Sequence, residues 1–171
     1  MQEQQGNSSK ASVRIMLDST ADGEKLSRTM NGEWYYRNNG IYVKYTEVDE
    51  GNSVRTLVSW KDGALKVTRR GDAESEQTFA LGSRLPGYYS NGQVRLNLDT
   101  ETTLLRVVAD TLPGMDEASD PQPALPLLLE WHYTLWSAEE PAGTFIVRLY
   151  AERCEDEAAS EAETNQGGTQ S

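Results

Sequence analysis

Apolar and polar side chains alternate with a period of two through residues 54–70, on both sides of an Asp62-Gly63 dipeptide. A right-twisted ribbon favours the primed turn that Asp-Gly adopts, so a two-residue loop at this dipeptide pairs Lys61 with Ala64, Trp60 with Leu65, Val58 with Val67 and Thr56 with Arg69. Trp60, Leu65, Val58 and Val67 then share one face, and Ser59, Lys66, Leu57 and Thr68 share the other. That is the pattern of a strand pair with one side on a core.

The same period recurs along most of the chain. Val13, Ile15 and Leu17 alternate with polar neighbours, which starts a first strand near Ser12, and Asp22-Gly23 marks the turn after it. Residues 25–37 read as one long strand or two collinear pieces, with Gly32 at a bend, a bulge or a close approach of another backbone. A two-residue turn at Asn39-Gly40 sets Trp34 opposite Tyr45 and Tyr36 opposite Val43. Glu50-Gly51-Asn52 closes the next hairpin. A weaker strand covers residues 74–80, the segment through Asn91-Gly92 is irregular, and Val94, Leu96 and Leu98 restore the alternation before a β-branched run over residues 102–110. The last hairpin joins residues 127–136 to 144–153. No segment carries the 3.6-residue period of an amphipathic helix.

Residues 112–126 hold four of the six prolines. Proline supplies no backbone donor, which argues against a central strand and for a surface loop with a helical turn at 116–119, either a variable insertion or a binding lid. Sequential hairpins leave a sheet with edges, and closure that pairs the first strand with the last removes them. The expected fold is therefore all-β: a single up-and-down barrel of about 8–10 antiparallel strands over residues 12–153, with a sandwich as the alternative. Trp34, Trp60, Val67, Leu96, Trp131, Tyr133, Phe145 and Val147 are its expected core. Residues 1–11 read as a flexible N-terminus and residues 154–171 as a disordered acidic tail.

Composition narrows the partners. The 171 residues include 27 acidic and 16 basic side chains, a formal net charge of −11, and such a field opposes nucleic acid and anionic membrane. No run of 18 apolar residues spans a membrane. The opening residues lack the apolar run of a secretory signal. A cytoplasmic location is expected. The single cysteine, Cys154, excludes an intrachain disulfide and a cysteine-rich zinc site, and no metal or cofactor is expected.

Arg69 carries the most informative charge, since the opening hairpin puts it on the face of Val67, Leu65 and Trp60. A guanidinium there needs paired acceptors, or holds a carboxylate or phosphate, or reaches water at a barrel rim. Arg70 points the other way, beside Arg55. His132 shares a face with Glu130 and Thr134, with no second histidine and no nucleophile to complete a triad. Tyr88 and Tyr89 adjoin Gly87, where an amphipathic ring suits an opening.

In order along the chain, Gly32-Glu33-Trp34-Tyr35-Tyr36, Gly40-Ile41-Tyr42-Val43-Lys44-Tyr45, Val54-Arg55-Thr56, Lys61-Asp62-Gly63, Arg69-Arg70-Gly71, Gln77-Thr78-Phe79, Gly87-Tyr88-Tyr89 and Val94-Arg95-Leu96 resemble the YwiB-like family of calycin-type β-barrel proteins, a bacterial domain of unknown function. The resemblance implies a lipocalin-like barrel and brings no catalytic set. A ligand-binding reading follows from that fold, with Arg69 and Tyr88 as polar contacts and Trp60 and Trp131 as apolar walls. The other reading is a non-catalytic interaction or structural barrel, self-associating or partnered through Leu57, Tyr42, Leu128 and Trp136 on its outer face.

Overall fold

The computed structural model describes residues 9–112 and 121–154. Every regular element in it is a strand: β1 (Ser9–Ala21), β2 (Glu24–Arg37), β3 (Gly40–Asp49), β4 (Asn52–Lys61), β5 (Ala64–Gly71), β6 (Glu74–Phe79), β7 (Arg84–Leu85), β8 (Tyr88–Ser90), β9 (Arg95–Asn97), β10 (Asp99–Leu112), β11 (Gln122–Ser137) and β12 (Glu140–Arg153). They form one antiparallel sheet in the order β7-β10-β11-β12-β1-β2-β3-β4-β5-β6-β8-β9. Twelve strands exceed the expected number because the irregular stretch after β6 contributes three very short ones.

Closure has two parts. The first and last strands pair along most of their length, from Val13 opposite Arg153 to Ala21 opposite Phe145. On the far side the sheet curls until β6 meets β10, where the Thr100 hydroxyl donates to the Thr78 carbonyl at 2.6 Å and the Gly82 N–H donates to the Thr102 carbonyl at 2.9 Å. The all-β barrel expected from the hairpins is thus present, with a seam sealed by a hydroxyl and a loop.

Inward positions follow the alternation. Val13, Ile15, Val43, Val58, Leu65, Phe79, Leu127, Leu129, Trp131 and Leu149 are buried together, and each such side chain withdrawn from water contributes roughly 1.5–3 kcal/mol. Trp34 and Trp131 belong to this core, while Trp60, Val67, Tyr133 and Val147 pack against it half-buried. The β4–β5 register is the one the Asp62-Gly63 turn dictates, including Thr56 opposite Arg69.

Three expectations are corrected. Leu96 is 44% exposed instead of buried, because β9 is a three-residue strand at the outer end of the sheet. The β2–β3 turn is Asn38-Asn39, both at positive φ, so Trp34 faces Val43 and Tyr36 faces Ile41, two residues from the expected register. Finally, residues 122–126 are not loop: Pro123 and Pro126 lie in β11. There β11 pairs with β10 alone, since its ladder to β12 begins only at Leu127, and a bulge at Ala109/Asp110 skips Leu125 and Pro126. A strand edge without a second neighbour tolerates proline's missing donor. The helical turn expected at 116–119, residues 1–8 of the N-terminal segment and residues 155–171 of the tail lie outside the described residues.

Candidate functional site

β2 and β3 are hydrogen-bonded only from Gly32 opposite Tyr45 to Arg37 opposite Gly40. Before Gly32 the two strands diverge, and residues 24–31 of β2 have no ladder partner on that side among the described residues. Gly32 is where they meet because a Cβ there would collide with the Lys44 carbonyl and stand 2.7 Å from the Ile15 Cδ1. Behind this divergence, at one end of the barrel, lies a cavity of about 420 Å³.

Its floor is aromatic. Phe79 stands 4.7 Å from Tyr133 and 5.8 Å from Trp131, ring centre to ring centre, and Tyr133 stacks on Phe145 at 5.1 Å. Leu17, Val67 and Val147 complete the apolar wall. Inward parity carries each of these residues here, and the same parity continues past the apolar positions into charged ones: Arg28 on β2, Glu47 on β3 and Arg69 on β5.

These three charges form one array. Glu47 Oε1 accepts from Arg69 Nη2 at 2.9 Å and from the Thr56 hydroxyl at 3.2 Å, and Oε2 accepts from Arg28 Nη1 at 3.4 Å. The Glu47 side chain is only 12% exposed, against 44% for Arg69. The carboxylate is therefore held from both sides while the Arg69 guanidinium keeps solvent-facing donors. The Arg28–Glu47 contact also bridges the divergence between β2 and β3.

Two phenols line the same cavity, and neither makes a hydrogen bond with another described residue. Burial pushes the Tyr133 hydroxyl up to about 12, with the Arg69 charge opposing it. Tyr45 is raised further, by burial first and then by Glu47, against Arg69 and Arg28. Both stay protonated at neutral pH and offer O–H donors to whatever occupies the space.

Of the four residues singled out from sequence, the structure brings two together. Arg69 and Trp131 line the cavity. Trp60 shares their face but sits at the opposite end, beside the Asp62-Gly63 turn and opposite Leu65; Leu65 and Arg69 are four residues apart on β5, about 13 Å of strand. Tyr88 is on the outside of the sheet, where its hydroxyl accepts from Arg70 at 3.4 Å and the Arg95 guanidinium lies 4.0 Å over its ring. Arg28, Glu47, Tyr45 and Tyr133 were not singled out as contacts, although the inward alternation that pointed to Arg69 reaches all four.

His132 and Glu130 are paired at 2.7 Å on the outer face, with Arg106 and Arg148 within 3.7 Å of the same carboxylate. The Glu130 carboxylate is thus shared among three partners, and the Thr103 hydroxyl donates to the His132 carbonyl at 3.3 Å, away from the ring. No group of three or more histidine, cysteine or acidic residues among the described residues is placed to hold a metal ion.

Fold and site together define an antiparallel β-barrel with an aromatic-floored, arginine-bordered cavity at one end. The chain belongs to a family described as a domain of unknown function (DUF1934), whose model matches residues 12–149. A relative, the uncharacterized beta-barrel protein YwiB of Bacillus subtilis (strain 168), is 24% identical over 102 residues, which cover 60% of this chain and 72% of that protein. The crystal structure of the YwiB protein from Bacillus subtilis superimposes with a TM-score of 0.69 at 19% identity, covering 88% of this chain and 98% of the other, and that likeness shows the fold.

Proposed function

We propose that this protein binds a small molecule at the barrel mouth, its apolar body against Trp131, Phe79 and Phe145 and its polar group at Arg69. The observation that carries this reading is the placement of the Arg28–Glu47–Arg69 array over an aromatic floor. Such a site follows the general form of ligand pockets, mostly apolar with a few polar groups that orient the guest. The lipocalin-like character expected from the sequence fits this use, and a lone thiol, Cys154, fits a reducing cytoplasm. Native mass spectrometry of freshly purified protein tests it. A discrete adduct is expected, present in the wild-type chain and lost in a folded Arg69→Ala variant; a wild-type chain at its bare mass, or an adduct indifferent to the substitution, would contradict the reading.

One observation favours a second reading, a protein contact. On the outer face Met16, Tyr150, Leu128 and Val108 are successive cross-strand partners over β1, β12, β11 and β10. Met16 is 37% and Val108 49% exposed. Tyr42 and Trp136, expected on such a surface, are instead covered within the chain, by Tyr35 at 4.9 Å and by Arg84 at 4.4 Å. Sedimentation over a range of concentrations should show association that Val108→Asp abolishes, and a monomer at all concentrations with no copurifying protein would remove this reading.

A further inference from the structure

The strands that turn Tyr45, Thr56 and Arg69 inward present Thr46, Arg55 and Arg70 outward. Arg55 and Arg70 are direct cross-strand partners on β4 and β5. Like charges in that relation repel. Arg70 turns away: its Nη1 donates to the Arg69 carbonyl at 3.1 Å and to Tyr88 at 3.4 Å, and its Nη2 lies 3.9 Å from Glu76. Arg55 makes no hydrogen bond or ion pair with another described residue.

A groove of about 490 Å³ runs between these side chains and the next outward row, which holds Glu33, Lys44, Leu57 and Thr68. Gly32 lies at its β2 end. Lys44, Arg55 and Arg70 bring three cations to the groove and Glu33 one carboxylate, itself shared at 3.8 Å between Lys10 and Lys44. In a chain of net charge −11 this concentration of positive charge runs against the whole-molecule field.

We infer that this outer groove is a binding site for a small phosphoryl anion, with the free Arg55 guanidinium as its principal contact and Arg70 and Lys44 flanking it. A planar guanidinium offers two parallel N–H donors to a phosphoryl group, and an anion between Arg55 and Arg70 turns a repulsive pair into a bridged one. The hydroxyls of Thr46 and Thr68 and the Asn31 amide supply neutral polar groups around the groove. The site is separate from the mouth cavity, because Arg69 faces the opposite side of the sheet from Arg70.

The test is a titration of the full chain with inorganic pyrophosphate at low ionic strength, followed through the Nε–H signals of the arginine side chains by NMR. Saturable shifts are expected at Arg55 and Arg70, with Arg69, Arg106 and Arg148 unmoved. Arg55→Gln should weaken binding roughly tenfold or more, since it removes a charge-assisted bidentate contact, and added salt should weaken it too. Without the anion, Arg55→Gln should melt no lower than the wild type, because it relieves the repulsion; with pyrophosphate only the wild type should gain in melting temperature. Equal small shifts at all arginines, or an Arg55→Gln chain that binds pyrophosphate as tightly as the wild type, would overturn the inference.

Discussion

Glu47 shows how a single inward position changes meaning along a strand. Ile41, Val43 and Tyr45 of β3 are buried, and the next inward residue is a carboxylate held by two arginines and a threonine. The pairing of Arg69 with Glu47 is half open to water, so its contribution to stability is about 0–1 kcal/mol and Arg69→Ala should leave the fold intact. The phenols below respond to pH. A tyrosine whose folded pKa lies above its unfolded value holds its proton more tightly when folded, so the stabilisation is complete below 10.0 and is lost as pH rises through about 12 for Tyr133. Denaturant midpoints should accordingly fall across that alkaline window, and fall less in Tyr133→Phe; midpoints that decline equally in the two chains would contradict this role for Tyr133. At this scale the sequence was legible as far as parity reaches. It distinguishes inside from outside for Arg69 and Arg70, but Trp60 and Arg69 share a face at opposite ends of the barrel, and Tyr88 belongs to a short strand too brief for alternation to orient.

The β2–β3 hairpin is the element whose register the sequence leaves open. Asn38-Asn39-Gly40 offers two overlapping two-residue turns, and because they differ by two residues in register, both keep every side chain on its own face. The structure uses Asn38 and Asn39 at φ of 52° and 65° and keeps Gly40 in the strand, where a Cβ would stand 2.8 Å from the Tyr42 hydroxyl. Left-handed backbone costs most residues about 1–2 kcal/mol, and Asn38 is left-handed only in the turn the structure uses, so Asn38→Ala should lower the denaturant midpoint at unchanged slope while Asn38→Gly leaves it nearly unchanged. Equal midpoints for the alanine and glycine variants would argue for the other turn. The prolines of β11 mislead for a related reason: Pro123 and Pro126 forbid a strand with two hydrogen-bonded neighbours, and β11 has only one there. Where the second neighbour begins is set by the β12 ladder, far away in sequence.

Across the whole molecule, hairpins specify most neighbours but not closure. The contact of β1 with β12 joins residues far apart in sequence, and the need to remove the open edges of a meander made it expected; the β6–β10 seam rests on Thr100 and Gly82, which carry no comparable signal. Closure is also what creates the cavity, by bringing Phe79 of β6 against Trp131 and Tyr133 of β11. The central claim is that this cavity holds a guest. Its most direct test fills the space from the wall: Val147→Phe places a larger side chain opposite Trp131, at a position outside the charged array. With the strand content preserved by circular dichroism, native mass spectrometry should show the adduct of the wild-type chain absent from Val147→Phe; an adduct retained at the same occupancy in the filled barrel would contradict the account.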